Sequence, residues 1–305
     1  MDEKEIYVIL NPQAAKGKAR RQEEAIREAM GNNTTMVVTV EAGGAEGLAY
    51  QAALDRWPIV VAAGGDGTVN EVVNGIMRAF EAGAPKPALG IIPVGRGNDF
   101  AWVMKIPTEI EAAVALIRSG KSKNIDLATV HGGNYPEGRW FVNGLGIGFE
   151  PLVNFAASKF KRISGTLSYM LALAQVMINY PKPYDLEVEL DGERLEVKSQ
   201  QLSVCNGRRM GSAFLMAPEA LCDDGLLDVV YTNRPLRPGK FIPIAKKILD
   251  GSQLGLEEFT FTRVKEARFK SRDHLLPVHI DGEEVSRGCE EISIKIYEGA
   301  ISIFA

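Results

Sequence analysis

Glycine, carboxylate and basic residues gather in three short segments of this chain. They are Asn11-Pro12-Gln13-Ala14-Ala15-Lys16-Gly17, then Gly64-Gly65-Asp66-Gly67-Thr68, then Gly95-Arg96-Gly97-Asn98-Asp99-Phe100. Glycine lets a backbone come close to a phosphate and take positive φ. Lys16 and Arg96 can add charge-assisted bonds to phosphate oxygens. Asp66 and Asp99 suit the Mg²⁺ that a polyphosphate brings, which carboxylates or their bound waters hold. No GxxxxGK[ST] loop is present, and no GxGxxG follows the first apolar run, so neither common nucleotide loop accounts for the pattern. One such loop reads more often as a tight turn. Three of them, two carrying carboxylates, point to a polyphosphate site.

The elements around the loops give them a common place. Apolar runs at 6–10, 59–63 and 88–92 read as strands, each ending at one of the loops, and 36–40 reads as another. Helical stretches fall at about 18–30, 45–56 and 68–79, the first stopped by Gly31. Thr108 opens a further helix, with Glu111 three residues on as a capping box and Gly120 closing it. Strand and helix in alternation predict a parallel α/β sheet covered on both faces. Ligands bind outside the carboxyl ends of such strands, so the three loops meet along one edge. There the helix near Thr68 offers free amides to an anion.

Past about residue 125 the pattern changes. Runs at 184–190 and 195–199 flank Asp191-Gly192-Glu193-Arg194, a hairpin with an Asp-Gly turn. Other strand-like runs are 202–205, 227–232, 259–264, 278–281 and 292–297, with helices at about 165–179 and 238–249. This half reads as a mostly antiparallel β domain. A last apolar run, 300–304, packs on either domain as far as the residues tell.

With 305 residues there is room for two cores, and a net charge of −4 argues against a general nucleic-acid binder. Cys205, Cys222 and Cys289 are too few and scattered for a disulfide framework or a zinc site, which suits a reducing compartment. His131, His274 and His279 have no ligand spacing. The acidic start, MDEKEIYVIL, lacks the basic region of a secretory signal. The most apolar segment, 167–178, falls short of the roughly 20 residues a spanning helix needs.

The motifs, taken together and in order, resemble those of the diacylglycerol kinase catalytic-domain family, which includes sphingosine kinases and the bacterial soluble lipid kinases. Gly64-Gly65-Asp66-Gly67-Thr68 with Asn70-Glu71 is similar to its GGDGTxNE signature. Asn11-Pro12 with Gly17 resembles its NPxxGxG, and Gly95-x-Gly97-Asn98-Asp99-Phe100-Ala101 its GTxNDFA. Asp223-Asp224-Gly225-Leu226 and Asp281-Gly282-Glu283 are similar to its DDG and DGE motifs. The likeness runs from residue 6 to near the end.

The resemblance implies an N-terminal ATP-binding α/β domain like that of NAD kinases and phosphofructokinase, spanning 1–125. A β-sandwich lipid-substrate domain over 126–291 follows, and the last strand, about 292–305, returns to the first domain. It implies transfer of the γ-phosphoryl group of ATP to a lipid hydroxyl, most simply that of diacylglycerol, with Mg²⁺ as cofactor. Glu283 would be the general base, Asp66 would sit beside the transferring phosphate, and Asp99 would join the Mg²⁺ and water network. Asn11, Lys16, Gly17, Thr39, Gly64, Gly65, Gly67, Thr68, Asn70, Glu71, Gly95, Arg96 and Asn98 would contact nucleotide. A structural Mg²⁺ would take the Asp224 carboxylate and the carbonyls of Leu221 and Leu226.

The chain departs from the family at Arg96, where Thr is usual, and at Ala14-Ala15-Lys16, where Ser-Gly is common. Asp191-Gly192-Glu193 repeats the DGE triplet, so the triplet alone does not mark the base. Other acceptors (phosphatidylglycerol, a sphingoid base, NAD) and a non-catalytic nucleotide or lipid sensor stay open. The partners expected are ATP and a lipid reached from the water side. The expected place is the cytoplasm, with peripheral association to the inner face of the membrane. Lys159, Lys161, Arg162, Arg208 and Arg209 are candidates for headgroup contact. A homodimer is compatible with the sequence, but no residue marks one.

Overall fold

The computed structural model describes residues 5–160 and 166–305. Residues 1–4, Lys161, Arg162 and the Gly165 start of the expected helix lie outside the described residues. Two compact units emerge, one of residues up to Leu127 with Glu298–Ala305, the other Ala128–Tyr297.

The first unit alternates strands and helices: β1 (Ile6–Leu10), a single turn α1 (Ala14–Gly17), α2 (Glu23–Met30), β2 (Thr34–Val38), α3 (Gly44–Leu54) and β3 (Ile59–Gly64). After these come α4 (Asp66–Glu81), β4 (Ala88–Pro93), α5 (Asp99–Val103) and α6 (Ile110–Arg118). The strands lie parallel in the order β2-β1-β3-β4. Val60, Val61, Ala62 and Ala63 are buried without a break. An uninterrupted apolar strand is what helices on both faces of a parallel sheet require. α3 and α4 pack through small residues: a Cβ on Gly75 would lie 2.2 Å from the Glu46 carbonyl oxygen.

Three local expectations are corrected here. The stretch 18–30 is a 3₁₀ turn (Ala19–Gln22) followed by α2, not one helix. The second strand ends at Val38, and Val40 is 97% exposed. The capping box at Thr108 does not form. Its hydroxyl turns instead to Glu109 Oε1 at 3.3 Å, α6 begins at Ile110, and Glu111 falls in the first turn, where its charge favours the helix dipole.

The second unit contains β5 (Ser122–Gly132, entering from the first unit), β6 (Tyr135–Phe141), β7 (Gly144–Gly148), α7 (Phe149–Lys159), α8 (Thr166–Ile178), β8 (Tyr184–Leu190) and β9 (Glu193–Ser199). Then come β10 (Gln201–Cys205), β11 (Leu227–Thr232), α9 (Pro238–Asp250), β12 (Phe259–Val264), β13 (Glu266–Ser271), β14 (Leu276–Ile280), β15 (Glu283–Cys289) and β16 (Glu291–Phe304). One antiparallel sheet runs β12-β11-β10-β7-β14-β15, and β16, β13, β8 and β9 form another antiparallel set. Leu145, Ile147, Leu202 and Val278 of the first share a core with Leu186, Val188, Phe269 and Ile294 of the second. The runs at 292–297 and 300–304, separate in the sequence, are one strand, β16. Its Ile303 pairs in parallel with Leu89 of β4. A parallel α/β part and an antiparallel β part are thus both present, as the sequence predicts. Among the described residues no helix is long and apolar enough to cross a membrane.

Candidate active site

The three loops of the first unit are joined by side-chain and backbone contacts. Asn11 accepts the Gln13 amide on Oδ1 (3.0 Å) and donates from Nδ2 to Thr68 Oγ1 (3.0 Å), which ties the β1 loop to the start of α4. Gly64 has no room for a side chain, because a Cβ would lie 2.3 Å from that same Thr68 hydroxyl. Gly65 and Gly95 meet back to back: a Cβ on Gly95 would stand 2.3 Å from Gly65 Cα and 2.5 Å from Asn98 Oδ1. Asn98, in the left-handed region at φ 50°, braces its own loop by accepting the Gly95 amide (3.0 Å).

These glycines serve close approach, not positive φ. None of Gly64, Gly65, Gly67, Gly95 and Gly97 takes it. The left-handed turn sits in the β1 loop, where Ala15, Lys16 and Gly17 have φ of 51°, 59° and 82°. Two of these are not glycine, and each such residue costs roughly 1–2 kcal/mol. Successive amides in such a turn can form an anion-binding concavity.

Gly95→Ala tests the close approach of two backbones. We expect a stability loss of about 2 kcal/mol, because neither Gly65 Cα nor the Asn98 brace can yield cheaply. Thermal unfolding measures the effect.

Asp66 is half-buried at the first position of α4. Its Oδ1 accepts the Phe100 amide at 3.0 Å and so caps α5, while Oδ2 has no partner among the described residues. Asp99 is buried at the start of α5. A second buried carboxylate of this unit, Asp126 on β5, is 1% exposed and accepts the Gly299 amide at 2.8 Å. Asp126 belongs to none of the three loops or the later motifs. Its one signal in the sequence is a carboxylate inside the apolar run Ile125-Asp126-Leu127-Ala128.

Other candidates hold the frame. Glu71 accepts the Gly43 and Ala45 amides (3.3 and 3.0 Å) and caps α3 from α4. Asn70 is fully buried, and its side chain accepts a bond from Asn74 (3.1 Å). Thr39 is buried, and its amide donates to the Leu10 carbonyl at 2.9 Å. Arg96 is exposed at the tip of its loop.

In the second unit Glu283 opens β15 directly after the turn Asp281-Gly282, with φ of 48° and 88°. It is exposed, and its carboxylate has no partner among the described residues. The turn is anchored from below. Asp281 accepts three amides, from Val142 (2.9 Å), Asn143 (3.0 Å) and Gly144 (3.1 Å). From α7, Asn154 Nδ2 donates to the Gly282 carbonyl at 3.2 Å. Asp191-Gly192 has nearly the same dihedrals, 48° and 87°, and Asp191 accepts the Lys265 and Glu266 amides. The two triplets share one local conformation, so context separates them, not turn geometry.

At the Asp-Asp-Gly segment, Asp224 Oδ1 accepts the Leu226 amide at 3.1 Å across Gly225, which has φ of 72°. Its Oδ2 has no partner among the described residues. Nearby, Asp228 has a buried Oδ2 without a partner among the described residues. Burial raises its carboxyl above the usual range, against the pull of Arg263 at 3.3 Å. No group of three or more His, Cys, Asp or Glu suited to a metal occurs among the described residues. One free carboxylate oxygen with main-chain carbonyls and water still fits Mg²⁺, which keeps several of its waters. The free Oδ2 of Asp66 fits it on the same ground.

Comparison with known proteins bears directly on this arrangement. The diacylglycerol kinase catalytic domain matches residues 5–130, and the YegS C-terminal NAD kinase beta sandwich-like domain matches 144–305. The chain is 31% identical to a diacylglycerol kinase of Bacillus subtilis over 84% of this chain and 81% of that one. The chain belongs to the diacylglycerol kinase catalytic-domain family. It is 33% identical to a protein of Chromohalobacter salexigens named a probable lipid kinase YegS-like, over 91% and 86% of the two chains. In fold it is similar to the crystal structure of a diacylglycerol kinase from Bacillus anthracis, with a TM-score of 0.72, 22% identity and coverage of 99% and 96%. An NAD kinase from Archaeoglobus fulgidus, solved in complex with ATP, shares the fold at a TM-score of 0.53, 13% identity and coverage of 98% and 93%. This member is therefore a lipid kinase, an ATP-dependent phosphotransferase.

Proposed function

We propose that this lipid kinase transfers the γ-phosphoryl group of ATP to the free hydroxyl of diacylglycerol, with Mg²⁺, at the inner face of the cytoplasmic membrane, on which it sits peripherally. The observation that carries the nucleotide half is Asp66: a carboxylate at a helix N-terminus, within three joined loops, with one oxygen taken by the Phe100 amide and the other without a partner among the described residues. Asp66 and Asp99 are the residues that would hold Mg²⁺ beside the phosphates, where the ion would supply charge neutralisation. Lys16 and Arg96 are the cations assigned to the same oxygens. Asp224, with the carbonyls of Leu221 and Leu226, is assigned a structural Mg²⁺.

Glu283 is the proposed base. The acceptor hydroxyl gives its proton to the Glu283 carboxylate as its oxygen bonds to the γ-phosphorus. The bond from that phosphorus to the bridging oxygen breaks, and ADP leaves with the electron pair. An exposed carboxylate on an anchored turn suits that role. The name of the Bacillus subtilis relative supports diacylglycerol as acceptor. The YegS-like relatives make another lipid hydroxyl the reading to test beside it.

The experiment offers purified protein ATP, Mg²⁺ and detergent-dispersed diacylglycerol, phosphatidylglycerol or sphingosine, and separately NAD. Phosphatidic acid is the expected product. Glu283→Gln should lower its rate by about 10²- to 10⁴-fold while ATP binding stays at the wild-type level. A product from phosphatidylglycerol alone would replace the acceptor, and one from NAD alone would remove the lipid assignment. Full activity in Glu283→Gln would remove the base.

A further inference from the structure

His279 of β14 stands two residues before Asp281 and is 3% exposed. Its Nε2 lies 3.3 Å from Glu150 Oε1 in the first turn of α7, an ion pair whenever the ring is charged. Neither ring nitrogen makes a hydrogen bond among the described residues. A buried polar ring left in this way costs stability, and an apolar side chain of similar shape would avoid the cost. Glu150 is the group that answers it. The same carboxylate accepts Gln201 Nε2 (3.2 Å) and Ser203 Oγ (3.3 Å) from β10, and the Glu150 amide donates to Gln201 Oε1 (2.9 Å). The start of α7 is thus fixed to two strands of one sheet. Room for the pair comes from Gly146 of β7, where a Cβ would stand 2.7 Å from His279 Nε2 and 2.8 Å from Glu150 Oε2.

From that fixed end α7 touches the hairpin of β14 and β15 three times. Glu150 meets His279 on the strand before the turn. Asn154, one helical turn on, donates to the Gly282 carbonyl at the turn itself. Phe155 packs against the Arg287 guanidinium, 5.2 Å from its ring centre, on the strand after the turn. Arg287 also holds Glu284 at 2.7 Å, and Glu284 is the residue paired with His279 across the two strands. Residues 150 and 154 share one face of the helix, so their contacts bracket the hairpin at 279 and 282. Glu283 is the next residue. Its carboxylate has no partner of its own among the described residues, so the backbone of the turn sets where it points.

We propose that α7 braces the turn that carries Glu283, and that His279, Glu150 and Asn154 are positioning residues for the phosphoryl transfer. His279 acts through Glu150, which sets the start of α7, and Asn154 passes that placement to the Gly282 carbonyl. This deepens the reading of Glu283 as base and rests on it. A shift of about 1 Å at a reacting group costs roughly 10²-fold in rate, so a loosened brace is read in turnover.

Two measurements on the full chain test it: turnover with ATP, Mg²⁺ and the lipid that gives product, and hydrogen exchange over residues 281–289. His279→Ala and Asn154→Ala should each lower kcat about tenfold and leave the KM for ATP unchanged. Asn154 is only half-buried, so its variant stands if His279→Ala proves unstable. His279→Gln, whose amide nitrogen can still face Glu150, should recover most of the loss. In a Glu283→Gln background the two alanine changes should alter the residual rate by less than about twofold, since a residue that acts through the base has nothing left to act on. Both should speed exchange over 281–289 several-fold. Wild-type kcat in both alanine variants would overturn the proposal, and so would an equal loss of rate with and without Glu283. Faster exchange over 281–289 in a protein whose Glu283→Gln variant keeps full activity would leave the brace standing and remove the base reading on which its catalytic role rests.

Discussion

Asp281→Ala is expected to lower the stability of the second unit by roughly 4 kcal/mol, because it removes three hydrogen bonds to one buried charge. The carboxylate is buried and accepts the amides of three consecutive residues, Val142, Asn143 and Gly144, at 2.9 to 3.1 Å. A hydrogen bond to a charged group contributes about 1.5–3 kcal/mol, and water entering the gap recovers part of the total. Asp191 provides the internal comparison. It has the same turn conformation but is exposed and accepts two amides, so Asp191→Ala should cost only about 1 kcal/mol. Urea unfolding followed by near-ultraviolet circular dichroism reads both. Equal midpoints for the two variants would mean that the three-amide cluster does not anchor the turn. A second consequence concerns the proposed base: Glu283 lies two residues beyond Asp281, so on that proposal Asp281→Ala should lose turnover under conditions where it remains folded.

The parallel half is legible in the sequence because its signals are local. The apolar runs at 59–63 and 88–92 end in glycine and carboxylate, and they match β3 and β4 within a residue. Where sequence and structure part, the deciding partner is distant. β7 reads Gly-Leu-Gly-Ile-Gly, which looks like a loop, yet Leu145 and Ile147 enter the sandwich core while the glycines line the other face. There a Cβ on Gly146 would meet His279 Nε2 at 2.7 Å and Glu150 Oε2 at 2.8 Å, and His279 is far away in the chain. β15 does not stand out as a strand although it begins at Glu283, because its pairing with β14 has register shifts that blur the alternation. The left-handed turn at Ala15 and Lys16 has no glycine at those two positions to announce it. Asp66 and Glu71 stand in one motif, but only three-dimensional contacts assign Glu71 to capping α3. Motif membership thus marks a residue as constrained without saying whether ligand or frame constrains it.

Asp66 is the residue at which that distinction can be measured. Its two oxygens have separate tasks: Oδ1 caps α5 through the Phe100 amide, and Oδ2 is left for the metal of the proposed reaction. Asp66→Ala removes both. It should lose about 1 kcal/mol of stability with the cap and about 10³-fold in turnover with the charge. Asp66→Asn separates them, because an amide oxygen can still accept the Phe100 hydrogen bond but the negative charge is gone. The expected result is wild-type thermal stability together with nearly the same loss of turnover as Asp66→Ala, and a weakened dependence of ATP binding on Mg²⁺. Turnover close to wild type in Asp66→Asn would make Asp66 a helix cap alone. The metal-holding role would then rest on Asp99, and Asp126 would become the next carboxylate to vary, since both are buried in the same unit.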